Sequence, residues 1–219
     1  MTTLILLFFT LAFLEIMLSG DNAVVLASMA SKLKDKEEQN KALTIGMIGS
    51  YILRVLVIIF GVWIFNNPVI GPGVKFLGAG YLLYLFGDFF WGKGEEESDG
   101  LTEAGFWATI ASITLADLAF SLDSATTALA LSDNLFVILA ACGTGVIALR
   151  FLAGWFVELI EIFTHLEAAG YIAVGFVGIQ LLIKTFTDIE ISELIDVAII
   201  VVIFLWGFSN KNPEENEST

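Results

Sequence analysis

One cysteine, one histidine and only ten lysines and arginines occur among 219 residues. A single cysteine, Cys142, excludes an intrachain disulfide and any metal site built from clustered thiolates; it sits in an apolar run and is expected to pack there. The lone His165 falls near a predicted turn, where a surface or interface role is expected rather than ligation. Ten basic residues against 24 acids give a net charge of -14. That balance argues against a nucleic-acid partner, which needs Lys and Arg to neutralise phosphates. Charged residues are only 16% of the chain, against roughly 25% in a typical soluble domain. Also missing is the every-second-residue alternation of an outer-membrane barrel. Apolar residues are plentiful, at 57% of the chain with a mean hydropathy of +0.86. A soluble protein of this length has too little interior to hide that surface, so the bulk of the chain is expected in lipid.

Polar punctuation divides the chain into seven predicted transmembrane helices, near 4–30, 42–65, 73–91, 104–130, 135–157, 168–187 and 192–208. Each approaches or exceeds the roughly 20 residues that cross a bilayer as a helix. The first has no Lys or Arg ahead of it and carries Glu15 and Asp21 where a cleavage region would stand, so it reads as a retained membrane helix rather than a signal peptide. Lys32, Lys34, Lys36, Lys41, Lys93 and Lys211 fall on one side of this arrangement, and Lys75 and Lys184 on the other. The positive-inside rule then places the N-terminus outside and the C-terminus inside. The acidic tracts, Glu95-Glu96-Glu97-Ser98-Asp99 and the tail from Pro213, read as solvated loop and tail. Trp63, Trp91 and Trp206 read as interface anchors.

Two segments repeat a pattern of acids. Glu15-Ile-Met-Leu-Ser19-Gly-Asp21-Asn22-Ala23 matches Asp117-Leu-Ala-Phe-Ser121-Leu-Asp123-Ser124-Ala125 in its acid, Ser, acid, polar and Ala positions. Gly49 and Arg54 align in spacing with Gly145 and Arg150, and Gly80 aligns loosely with Gly175. Each half is then a three-helix unit. Because three is odd, the second unit must enter the membrane inverted, the arrangement that places a transport site at the repeat interface. The expected organisation is a first repeat at 1–94, an acidic cytoplasmic loop at 95–103, a second repeat at 104–188, an extra helix at 189–208 and an acidic tail at 209–219.

Intramembrane acids are costly and usually mark a pathway or a bound ion. Glu15, Asp21, Asp117 and Asp123 against Arg54 and Arg150 leave two uncompensated negative charges if all are ionised, which a divalent cation would neutralise. Burial raises carboxylate pKa values, so the balance depends on protonation, and metal then exchanges naturally against protons. The available donors are carboxylates, Asn22, Ser19, Ser121, Ser124 and backbone carbonyls. With no Cys or His near them, this set favours magnesium, calcium or manganese over zinc or copper. Acids six residues apart on a straight helix point about 120° apart and lie about 9 Å apart along the axis. Either the two acids of a motif serve different steps, or the helix opens between them. Gly20 makes an opening cheap in the first half; Leu122 encodes one less well in the second. The plainer alternative is that Glu15 and Asp117 are structural, each paired with an arginine. Arg54 and Arg150 read as counter-ions or gate elements, since a guanidinium does not relay protons. Asp88, Glu158 and Glu161 read as interfacial acids.

At these residues the chain resembles the TerC family of integral membrane proteins. Both acidic motifs, both arginines and the helix count agree, over about residues 5–208. The family is related to LysE-type exporters, is linked to tellurite resistance by name and to manganese efflux by function. The resemblance implies a multi-pass manganese(II) exporter of the bacterial cytoplasmic membrane. It implies Glu15, Asp21, Asp117 and Asp123 as metal-site acids, with Asn22 beside them; Ser124, the polar residue at the matching position of the second motif, is counted with this set. Gly20 departs from many members, which carry a larger residue there.

The expected partners are the lipid bilayer and the transported cation; no cofactor is required, no enzymatic activity is expected, and homo-oligomerisation is open. An exporter of small cationic organic solutes and a non-transporting scaffold remain as alternatives. An intramembrane aspartyl protease also needs two membrane aspartates. However, its Gly-x-Gly-Asp and Tyr-Asp cores are replaced here by Leu18-Ser19-Gly20-Asp21 and Leu122-Asp123.

Overall fold

The computed structural model of the protein describes residues 2–18, 22–92, 103–132, 134–187 and 192–212. Among them the chain forms eight helices: α1 (Thr2–Leu18), α2 (Asn22–Ser31), α3 (Lys36–Asn66), α4 (Ile70–Trp91), α5 (Glu103–Leu131), α6 (Leu135–Ile162), α7 (Leu166–Phe186) and α8 (Glu193–Gly207). No strand occurs among the described residues, and one isolated bridge joins Phe163 to Lys211. Long apolar runs adopt helices because every backbone N–H and C=O must be satisfied within the segment when no water is at hand.

Four stretches are long and apolar enough to cross a bilayer: Lys36–Gly61, Ala104–Leu122, Leu135–Ile162 and Leu166–Phe186. The shorter apolar stretches Leu4–Phe13, Asn22–Ser31 and Ile195–Gly207 accompany them, as does the 22-residue α4. From the second onward, each predicted span coincides with one helix within a few residues. The predicted first span, 4–30, corresponds to two helices, α1 and α2; residues 19–21 lie outside the described residues. Polar side chains at the joints set where helices start. α3 begins at Lys36, ahead of expectation, because the Asp35 carboxylate accepts from Glu37 N–H at 3.1 Å. This satisfies one of the donors that a helix start leaves free. Asn134 does the same for α6 through Val137 N–H at 3.3 Å.

A few contacts reveal how the helices pair. α3 and α5 run side by side in the same direction: Thr114 Oγ1 donates to Gly46 O at 3.0 Å, Ser50 reaches Asp117, and Gly61 lies against Leu129. α1 and α6 are likewise parallel, with Leu4 and Phe8 near Phe136 and Ala140 at one end and Glu15 against Gly145 further along. α4 and α7 are antiparallel, with Phe76 on Phe186 and Phe89 stacked on Tyr171 at 4.2 Å. α3 and α6 are antiparallel too, through Tyr51 O–H to Leu139 O at 3.1 Å and the Lys36–Glu161 ion pair at 3.5 Å. α2 packs among α5, α6 and α7 and is buried from Asn22 to Ala30.

Large apolar side chains cover much of the outside, and a small set of polar ones lies within the apolar interior. Leu6, Phe9, Ile52, Leu77, Phe136 and Phe151 are exposed, while Glu15, Ser50, Arg54, Asp117 and Ser121 are buried. A membrane protein packs this way because hydrocarbon solvates apolar side chains and leaves polar ones to find partners inside.

Candidate functional site

The last turn of α1, the middle of α3 and the middle of α5 bring three ionisable side chains together at the centre of the bundle. Arg54 is 2% exposed, Glu15 6% and Asp117 0%. Arg54 Nη1 donates to Glu15 Oε1, while Nη2 donates to Asp117 Oδ2 at 3.2 Å and to Ser121 Oγ. Ser50 lies one turn before Arg54, and residues four apart share a helix face; its hydroxyl donates to Asp117 Oδ2. Ser121 in turn donates to the Asp117 carbonyl. Cys142 of α6 is buried in an apolar cluster with Leu11, Ala12 and Ile58, about one turn along their helices from Glu15 and Arg54. α6 can approach α1 this closely because residue 145 is glycine: a Cβ there would overlap Glu15 Cγ. One guanidinium thus joins the first acid of each sequence motif. Two buried atoms of the cluster have no hydrogen-bond partner among the described residues, Arg54 Nε and Asp117 Oδ1.

The other predicted residues are distributed differently. Asn22 opens α2 and is buried. Ser124 is partly buried and donates to Ser121 O at 3.2 Å. Asp21 lies outside the described residues, as does the side chain of Asp123. α5 runs unbroken through Leu122, so positions 117 and 123 stand about 120° apart around its axis. The opening considered for the first motif therefore has no counterpart in the second. Among the described residues, no three acids, histidines or cysteines gather in a way that would hold a metal ion.

Arg150 has a different set of partners among the described residues. It reaches Thr44 Oγ1 through Nε at 2.9 Å and Asn40 Oδ1 through Nη2 at 3.0 Å, both on α3. Among the described residues, Arg54 alone is bonded to motif acids, and the two of them exceed its single charge by one if both are ionised. Arg150→Gln is accordingly expected to change stability by no more than about 1 kcal/mol, the scale of ordinary hydrogen bonds. Chemical unfolding in detergent measures this, and a loss of several kcal/mol would place Arg150 among the core charges.

Sequence reading missed Ser50, although its position four residues before Arg54 on one face was a usable signal. It also passed over Ser28, which donates to Glu167 at 2.7 Å between α2 and α7, and Asp196, which accepts from Gln180 between α8 and α7. His165 stacks on Trp206 with ring centres 4.9 Å apart, tying the turn before α7 to α8.

Comparison with known proteins agrees in kind. The family model described as integral membrane protein TerC family matches residues 1–213. The chain is 34% identical to the membrane protein YceF of Bacillus subtilis, covering 96% of this chain and 84% of that relative. It is 32% identical to the membrane protein YkoY of the same organism, over 82% of this chain and 60% of YkoY. To the inner membrane protein YgdQ of Escherichia coli it is 29% identical, over 84% of this chain and 82% of the relative. No solved structure matches it.

Proposed function

This chain belongs to the TerC family of integral membrane proteins, and on that premise we propose that it exports a divalent metal cation, manganese(II) foremost, across the bacterial cytoplasmic membrane by alternating access. One observation carries this reading: the first acid of each motif is buried in the same cluster, and the arginine between them does not balance both. Buried acids in excess of bases are expensive in a membrane and call for a cation. The oxygen-only donors favour a hard one. Asp21 and Asp123, with Asn22 and Ser124, are assigned to hold the metal. Glu15 and Asp117, which bind Arg54, complete the set as further ligands or proton carriers.

The helix pairing supports two inverted three-helix repeats plus an extra helix, α8, for seven crossings in all, with α1 and α2 together forming the first. Exchanging α1–α2 with α5, α3 with α6 and α4 with α7 maps the pairing onto itself. The parallel α3–α5 pair becomes the parallel α1–α6 pair, and the antiparallel α3–α6 and α4–α7 pairs map onto themselves. A site at the interface of such repeats is reached alternately from each side as one repeat moves against the other. Loop lysines favour an outer N-terminus and an inner C-terminus. Carboxylates that accept a proton on releasing the metal would couple export to protons.

Flux through the purified protein in liposomes, followed with a manganese-sensitive dye inside, tests the proposal. Manganese movement that lysine does not inhibit is expected. Lysine movement without manganese movement would favour an exporter of organic cations, and movement of neither would reject transport.

A further inference from the structure

We propose that Arg54 is a tethered stand-in for the cargo: its guanidinium holds Glu15 and Asp117 while the site is empty, and an incoming divalent cation displaces it. The inference rests on the metal-export reading and adds a mechanism by which the protein discriminates ions by valence.

Three observations point this way. First, Arg54 is the one cation bonded to the leading acids of both motifs among the described residues, so it occupies the charge position that a metal would take. Second, its grip is partial. The strongest arginine–carboxylate pairs are forked, with two parallel N–H···O bonds to one carboxylate. Here the guanidinium is split between two acids, its contact to Asp117 is 3.2 Å, and both Arg54 Nε and Asp117 Oδ1 have no partner among the described residues in a fully buried setting. A purely structural clamp would leave neither atom unused, because an unsatisfied buried polar group is costly. Third, a neutral acceptor stands ready: Ser121 Oγ already accepts from Nη2, so the guanidinium keeps a partner as it lets go of a carboxylate.

The charges then define a threshold. Two carboxylates and one guanidinium leave one negative charge uncompensated. A monovalent ion brings no more charge than Arg54 already supplies, and it must shed water to enter. A divalent ion doubles the attraction at the same distance, since Coulomb energy scales with the product of charges. A guanidinium does not deprotonate in a protein. Arg54 therefore yields to charge rather than to pH, and it returns when the cargo leaves, so the acids are never both bare.

Manganese binding to the full chain in detergent, by calorimetry and by thermal unfolding, tests this with wild type, Arg54→Gln and Arg54→Lys. Removing the competitor in Arg54→Gln is expected to tighten manganese binding by about tenfold or more, equivalent to about 1.4 kcal/mol. Arg54→Lys, which keeps the charge but loses the fork, is expected to fall between. Arg54→Gln is also expected to be less stable than wild type in chelator and to gain more stability from manganese. If Arg54→Gln does not fold even with manganese, Arg54→Lys decides alone. Wild-type binding that neither variant tightens would overturn the stand-in role and leave Arg54 a structural clamp. Failure of all three proteins to bind manganese would overturn the export reading itself.

Discussion

Cells carrying Asp21→Asn or Asp123→Asn accumulate manganese as though the exporter were absent. The substitution is nearly isosteric and retains an oxygen donor, so it removes charge while sparing packing. Charge is what the site has to offer: among the described residues Arg54 is the one cation bonded to motif acids, and Arg150 bonds Asn40 and Thr44. Of the four acids, Glu15 and Asp117 are already bonded to protein groups. Arg54 competes for those two, so the metal depends most on the second acid of each motif. Disturbing even an outer partner of a metal ligand costs about 10- to 100-fold, so losing a charged ligand should lower transport by at least about a hundredfold. Cellular manganese, measured after a manganese load, reads this directly. Wild-type efflux by both variants would reject Asp21 and Asp123 as ligands.

Asp117→Ala should be the most destabilising single change near the site, at about 3–5 kcal/mol, the cost of breaking a buried ion pair by removing one partner. Asp117 is fully buried, accepts from Arg54 and Ser50 through one oxygen, and joins α3 to α5 along their parallel contact. Its removal leaves the Ser50 hydroxyl without its acceptor and the guanidinium with a single carboxylate. Chemical unfolding in detergent measures the loss. Replacing the whole set, as in Glu15→Gln with Arg54→Met and Asp117→Asn, should recover much of it, because no buried charge then stands unpaired. Stability of Asp117→Ala within about 1 kcal/mol of wild type would show that the cluster is not what joins these helices.

The helices and the acidic motifs were legible in the sequence for simple physical reasons. Lipid demands continuous apolar runs, and acids inside such runs stand out. The pairing of Glu15 and Asp117 with arginine was also anticipated, but its form was not. Spacing alone assigns one arginine to each motif, whereas the fold gives Arg54 both. The aligned glycines explain why. Gly49 is followed by Ser50, which donates to Asp117 beside Arg54. Gly145 is followed by the buried Val146, which has no hydroxyl to offer Glu15. The second half thus lacks the polar cradle of the first, and Arg150 turns toward Asn40 and Thr44 instead. Such a choice depends on which neighbours a side chain meets across three helices, information that lies beyond the periodicity of any one of them. The start of α3 was misplaced for a local reason: lysines and glutamates from Lys36 onward look like loop, yet Asp35 caps them into the helix.

Anomalous scattering from a manganese-soaked crystal would locate the ion and count its oxygen neighbours at once. A single strong peak is expected beside the Glu15–Arg54–Asp117 cluster, within bonding distance of carboxylates from both motifs, Asp21 and Asp123 among them. A peak confined to the acidic surface tracts, with Asp21 and Asp123 each paired to protein groups, would contradict a metal path through the centre of this bundle.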